Sequence, residues 1–241
     1  MLLSLRRWLM MNSEGLFLPD GKSLHKVVVG QSGSGKSVFL EMGAKTFLKQ
    51  VKDDSFRMIY FSPKNEGFID LLKKDRRKRP IGLVYDVPNM LKSMEKNRLT
   101  VFYPDAADLE LTMDETIDAL FDMRDANENL KTTLIIDDAQ VFLSSRKRAS
   151  DAQNRLALLG RSRKINAIYV SHALILNKAL EAQVDSLFFF TLPAKVHWKS
   201  GEERYGFNPE PYLEPLRDVP YSFVAFDVRS GKAQMMNPVS L

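Results

Sequence analysis

One stretch of eight residues constrains this chain more than any other: Gly30, Gln31, Ser32, Gly33, Ser34, Gly35, Lys36 and Ser37. It matches the pattern GxxxxGK[ST] in full. From His25 to Gly30 the chain is a short β-branched run, the composition of a buried strand. After Ser37 the apolar residues Leu40, Ala44, Phe47, Leu48 and Val51 recur at helical spacing. A strand that feeds a glycine-rich turn opening a helix is the context in which this pattern cradles phosphate. Gly30, Gly33 and Gly35 allow backbone conformations that a Cβ would forbid, so successive N–H groups can surround an anion. The helix N-terminus behind them adds partial positive charge. Lys36 is placed to reach β- and γ-phosphates, and the Ser37 hydroxyl to ligate Mg²⁺. The loop, with Val38 in the first helical turn, is therefore the expected contact for a nucleoside triphosphate.

The chain has 241 residues, enough for one large α/β domain with a full core. It contains no cysteine, which excludes disulfides and thiolate metal sites, and its three scattered histidines argue against a histidine metal centre. The net charge of +5 is mild, so the clustering of basic residues says more than their number. Met1 to Met11 is apolar but too short to span a bilayer, and Arg6 and Arg7 interrupt it where a signal peptide needs an unbroken core. Leu2, Leu5, Trp8 and Leu9 fall on one helical face. That face either packs on the domain or makes an amphipathic contact with a membrane or a partner protein. Residues 1–24 are accordingly read as an N-terminal segment and 25–241 as the main domain. No apolar run reaches transmembrane length.

Further along, Arg57 to Phe61 reads as a strand, Ser62 to Glu66 as a turn, and Phe68, Leu71 and Leu72 as a short helix. Lys73 to Arg79 is the densest basic run, either a solvated helix end or a contact for nucleic-acid phosphates. Asp86 and Pro88 mark a helix start, and Leu99 to Tyr103 is a strand ended by Pro104. Thr112 and Glu115 have capping-box spacing ahead of a helix whose face carries Met113, Ile117, Leu120 and Phe121. The strand from Thr133 to Ile136 ends in two acids, Asp137 and Asp138, the Walker B form. Asp137 is expected to hold Mg²⁺ through water, and Asp138 to act as general base on an attacking water. Ser150 and Gln153 form a second capping box, for a helix ending near Gly160. Arg161 to Lys164 precedes a strand from Ile165 to Ser171. His172 at its end either senses a γ-phosphate or serves as a cap or surface residue. Leu187 to Thr191 is another buried strand. Tyr221 to Val228 and Ala233 to Met236 pair as a hairpin around Gly231. Strands alternating with helices predict a mostly parallel sheet in an α/β fold.

In this order the motifs resemble the FtsK/HerA superfamily of motor ATPases along nearly the whole chain. The Pro63-Lys64 turn after the second strand is typical of that family. So is an arginine eleven residues ahead of a glutamine at the end of the strand after Walker B; here these are Arg161 and His172, with histidine in place of glutamine. An Asp-Asp pair and a short chain without an added domain resemble the viral genome-packaging branch. The resemblance implies a RecA-like (ASCE) P-loop NTPase with a mostly parallel central sheet flanked by helices and a C-terminal β-hairpin. It implies ATP and Mg²⁺ as cofactors, Lys36 and Asp138 as catalytic residues, and Arg161 as an arginine finger reaching a neighbouring subunit, with Arg163 its near rival. It further implies a hexameric ring around double-stranded DNA, with Lys73, Lys74, Arg76, Arg77, Arg146, Lys147, Arg148 and the Arg161 to Lys164 run as candidate DNA contacts. Capsid or vertex proteins would be partners, and the protein would sit in host cytoplasm or at a packaging vertex of the virion. The function implied is ATP-driven DNA translocation into a preformed capsid. The alternatives are a plasmid-transfer ATPase of the same superfamily, or a phage assembly and secretion ATPase similar to zonula occludens toxin.

Overall fold

A computed structural model describes residues 16–17, 25–64, 68, 81–105, 107–142, 149–174, 176, 178–192 and 195–236. The predicted N-terminal helical face, the Lys73 to Arg79 run and Arg146 to Arg148 lie outside the described residues, as do Leu71 and Leu72.

Nine strands among these residues form one sheet: β1 (His25–Val29), β2 (Phe56–Phe61), β3 (Ile81–Val84), β4 (Leu99–Phe102), β5 (Lys131–Ile136), β6 (Ile165–Ser171), β7 (Val184–Phe189), β8 (Phe223–Asp227) and β9 (Lys232–Met236). Their order is β3-β4-β2-β5-β6-β1-β7-β8-β9. The seven strands from β3 to β7 run parallel, and β8 and β9 add an antiparallel hairpin at one side. All parallel strands therefore end at the same edge. β6 lies between β1 and β5, so the ends of these three strands stand side by side.

Both faces of the sheet are covered, which is why β1 and β6 are buried at every position. One face takes α1 (Lys36–Gln50), whose Phe39, Leu40, Ala44 and Phe47 are buried. Phe39 packs its ring 4.8 Å from Phe223 and 5.3 Å from Phe188. Each such ring removed from water contributes roughly 1.5–3 kcal/mol. Leu16 and Phe17 join this layer: Phe17 lies 5.7 Å from the Phe47 ring, and its carbonyl accepts a hydrogen bond from Thr133 Oγ1. The opposite face takes α2 (Val87–Lys96), α3 (Leu109–Ala126), α4 (Asp151–Leu159) and the side of Trp198, Phe207 and Leu216. Three helices complete the described chain: α5 (Lys178–Glu181), α6 (Lys195–Tyr205) and α7 (Glu210–Asp218).

His25 fastens β1 to the rest of this layer. Its Nδ1 accepts from the Ala167 amide at 3.0 Å, and its Nε2 donates to the Leu156 carbonyl at 3.2 Å. Only the neutral ring with its proton on Nε2 can do both. Burial pushes its pKa down to about 4.

Three sequence expectations change. Thr112 does not cap α3: Asp108 does, accepting from the Leu111 amide at 3.0 Å, and Thr112 Oγ1 donates to the Asp108 carbonyl instead. An acid four residues upstream captured the helix start. β3 was not expected, because four residues interrupted by Gly82 carry little strand signal on their own. β7 begins at Val184, three residues ahead of the expected Leu187. Ser150 does cap α4, accepting from the Gln153 amide at 3.1 Å.

Candidate active site

The parallel strands deliver their functional residues to one edge. Past β1, Gly33 (φ 74) and Gly35 (φ 101) take left-handed backbone conformations that favour glycine. Gly30 has no such dihedral; it is needed for space, since a Cβ there would stand 2.5 Å from Phe190 Cβ and 2.7 Å from Ser34 Oγ. Gly35 is the N-cap of α1, so the amides of Lys36, Ser37 and Val38 form the open first turn behind the loop. Lys36 Nζ crosses the loop, donating to the carbonyls of Gly30 at 2.6 Å and Gln31 at 2.9 Å. Burial lowers its pKa, and Asp137 and Asp138 oppose that shift.

Two strands away, Asp137 follows β5 and faces the same edge. Tyr60 on β2 donates to its Oδ2 at 2.6 Å, and Ser62 donates to the same oxygen at 3.3 Å. Burial raises the Tyr60 pKa, and the neighbouring Asp137 carboxylate reinforces the rise. Asp138 has φ 48, a conformation that aspartate tolerates better than most residues, and stands at the start of a short 3₁₀ turn (Ala139–Val141). Its Oδ2 pairs with Lys64 Nζ at 2.7 Å. Its Oδ1 meets His172 Nε2 at 3.1 Å and accepts from Gln140 Nε2 at 3.1 Å. Burial tends to raise the Asp138 pKa, but the Lys64 and Gln140 hydrogen bonds and the charges of Lys64 and His172 outweigh it, so the net shift is downward.

A cavity of about 320 Å³ joins these groups, lined by the loop from Ser32 to Val38 and by Lys64, Asp137, Asp138, His172 and Tyr221. No group of three or more His, Cys, Asp or Glu residues that could hold a metal by itself occurs among the described residues. The donors present, the Ser37 hydroxyl and the Asp137 carboxylate, are hard oxygens. Mg²⁺ at phosphate sites is held by one or two such protein oxygens plus phosphate and water, so the set fits that ion.

No protein-family model and no curated protein sequence matches the chain. Solved structures do. The genome packaging NTPase B204 from Sulfolobus turreted icosahedral virus 2, in complex with ATP-gammaS, is 15% identical with a TM-score of 0.67, over 90% of this chain and 98% of that one. B204 from Sulfolobus turreted icosahedral virus, a DNA-packaging ATPase, is 17% identical with a TM-score of 0.64 over the same shares. EssC (ATPases 2 and 3) from Geobacillus thermodenitrificans is 11% identical with a TM-score of 0.60, over 92% of this chain and 41% of that one. The chain shares the fold of these structures, a mostly parallel sheet flanked by helices.

Of the residues singled out in the sequence, the fold brings Lys36, Ser37, Asp137, Asp138 and His172 to one cavity. It keeps Arg161 away from them. Arg161 is exposed just ahead of β6, and the seven residues of that strand separate it from His172 by on the order of 20 Å. Arg163 beside it donates to Asp125 on α3. Sequence reading missed Tyr60, Ser62 and Gln140 around the two acids, and assigned Lys64 and Tyr221 no part in the site. Pro63-Lys64 lies directly after β2, the strand beside β5, which explains the contact of Lys64 with Asp138.

Proposed function

We propose that this protein is an ATP-driven double-stranded DNA translocase that packages a viral genome into a preformed capsid. One observation carries the reading: a full phosphate loop and two consecutive acids share one cavity, on a fold that spans 98% of a genome packaging NTPase. In this reading the loop from Gly30 to Val38 holds the triphosphate through its amides, and Lys36 contacts the β- and γ-phosphates. Ser37 and Asp137 hold Mg²⁺, which when bound neutralises phosphate charge. Asp138 takes the proton of the attacking water. Its depressed pKa keeps it ionised, and Lys64 and His172 fix its orientation. Arg161 lies too far from its own loop to act there, which supports a finger that serves an adjacent subunit of a ring.

Duplex DNA, a homo-oligomeric ring, capsid or vertex proteins, and a place in host cytoplasm or at the virion vertex belong to the same proposal. The basic runs Lys73 to Arg79 and Arg146 to Arg148 supply the charge for a sequence-independent grip on DNA. The test is Mg²⁺-dependent ATP hydrolysis with and without duplex DNA, followed by displacement of a triplex-forming strand from linear DNA. Stimulation by duplex DNA and ATP-dependent displacement are expected. Hydrolysis indifferent to DNA would favour a phage assembly or secretion ATPase instead.

A further inference from the structure

The turn that enters β8 is shaped in an unexpected way. Val219, Pro220, Tyr221 and Ser222 form a turn closed by the Ser222 amide donating to the Val219 carbonyl at 3.3 Å, with the Ser222 hydroxyl on the same oxygen at 2.7 Å. Proline in the second place and a positive φ in the third give the pattern of a type II turn, where glycine or asparagine normally stands third. Here the third residue is Tyr221, at φ 62. A bulky side chain held in the left-handed region is an outlier that directs attention to function.

Topology places this turn beside the phosphate loop. β8 runs antiparallel to β7, with Val224 opposite Phe189, so the start of β8 lies at the edge where β1 and β7 end. Tyr221 lines the cavity of the loop, and a Cβ on Gly35 would stand 3.1 Å from Tyr221 Cδ1. Behind it lies an aromatic floor in which Phe190 stacks on Phe223 at 5.0 Å and Phe39 packs against both. Yet the Tyr221 side chain is not part of that floor: the residue is 52% exposed.

The direction of the site gives this ring a purpose. Asp137 and Asp138 approach the loop from the β5 and β6 side of β1, whereas Tyr221 approaches from the β7 and β8 side. A triphosphate with its γ end at the acids runs across the loop and presents its nucleoside toward β8. We propose that the Tyr221 ring is the platform on which the nucleobase stacks, and that the strained turn exists to hold it there. This rests on the reading of the loop as a triphosphate site. Stacking tolerates any base, so ATP and GTP share the platform.

The experiment compares ATP, GTP and inorganic tripolyphosphate binding to the full chain by calorimetry. Tyr221→Ala should weaken ATP and GTP by about five- to a hundredfold, the range for losing one base–aromatic stack, and leave tripolyphosphate unchanged. Tyr221→Trp should retain affinity, and its added fluorescence should be quenched by ATP but not by tripolyphosphate. Tyr221→Gly, which suits the left-handed backbone, should raise or preserve the melting temperature while losing the same affinity for ATP. An unchanged ATP affinity in Tyr221→Ala, or an equal loss for ATP and tripolyphosphate, overturns the platform. Wild type binding neither ligand removes the triphosphate site itself, and the platform with it.

Discussion

Tyr60 on β2 donates a 2.6 Å hydrogen bond to Oδ2 of Asp137, just past the end of the neighbouring strand β5. The tyrosine is buried and stacked on Phe68 at 4.2 Å, so its hydroxyl is held where it is. The other carboxylate oxygen, Oδ1, accepts from the Asp138 amide at 3.0 Å, so both oxygens are engaged and the plane of the carboxylate is fixed.

Tyr60→Phe therefore tests how far that fixing matters. The change removes one hydrogen bond to a charged group and leaves the longer one from Ser62. The Mg²⁺ concentration for half-maximal hydrolysis should rise about tenfold, the lower end of what partners behind a metal ligand supply. Circular dichroism and melting temperature should change little. An unaltered Mg²⁺ titration means that Tyr60 does not orient the ligand.

Binding and chemistry should separate at the cavity. Lys36→Ala should lose nucleotide affinity, whereas Asp138→Asn should bind ATP and Mg²⁺ but turn over slowly. Because the Asp138 pKa is lowered, hydrolysis should not lose its base until the pH falls below the ordinary aspartate value of about 3.9. Lys64→Met removes the closest cation, so the acidic limb of the pH–rate profile should move to higher pH. Equal turnover by wild type and Asp138→Asn would exclude Asp138 as the base.

His25 makes stability depend on pH. Its folded pKa of about 4 lies below the unfolded value of 6.5, so between these the unfolded chain binds a proton that the folded chain does not. The His25 contribution is complete above pH 6.5 and declines as pH falls toward 4, by about 3 kcal/mol across the window. His25→Leu should be less stable at pH 7 yet show a flatter decline. The readout is urea midpoints from pH 7 to 4.5; parallel curves for the two proteins would assign the acid sensitivity elsewhere.

Arg161→Ala should abolish hydrolysis while ATP binding and assembly persist, since a finger can be worth about a thousandfold or more in rate. Mixing inactive Arg161→Ala with inactive Asp138→Asn should restore activity at interfaces that pair an intact finger with an intact base. If subunits mix and no activity returns, the trans-acting role is wrong. Arg163→Ala is then the next variant, although its pairing with Asp125 makes it a poorer candidate.

What could be read from the sequence followed the range of the interactions that create it. The Gly30 to Ser37 loop and the Ser150 cap are local: pattern and geometry lie within a few residues, and both were legible. Thr112 had the same local signature but lost the helix start to Asp108, a competition that spacing alone does not reveal. β3 owes its form to pairing with β4 and not to its own residues. α6 and α7 escaped notice for a related reason, since Pro211 and Pro215 read as breakers and Gly201 interrupts any apolar period. Tyr60, Lys64 and Tyr221 reach the site only because strands far apart in the chain lie close together in the sheet, and no spacing encodes that order.

β6 has one further consequence. It is buried at all seven positions and laddered on both sides, to β1 and to β5, with His172 at one end and the Arg161 segment at the other. Sliding such a strand would shear two ladders at once. It behaves as a stiff rod through the domain. If a neighbour docks at the Arg161 end, news of that contact cannot travel to Asp138 as a local distortion along the strand. The route that a rigid strand offers instead is turning with the domain as one body, the rigid-rotation class of switch. Signalling between subunits would then be a matter of how domains tilt against each other, with the interior of each left unchanged.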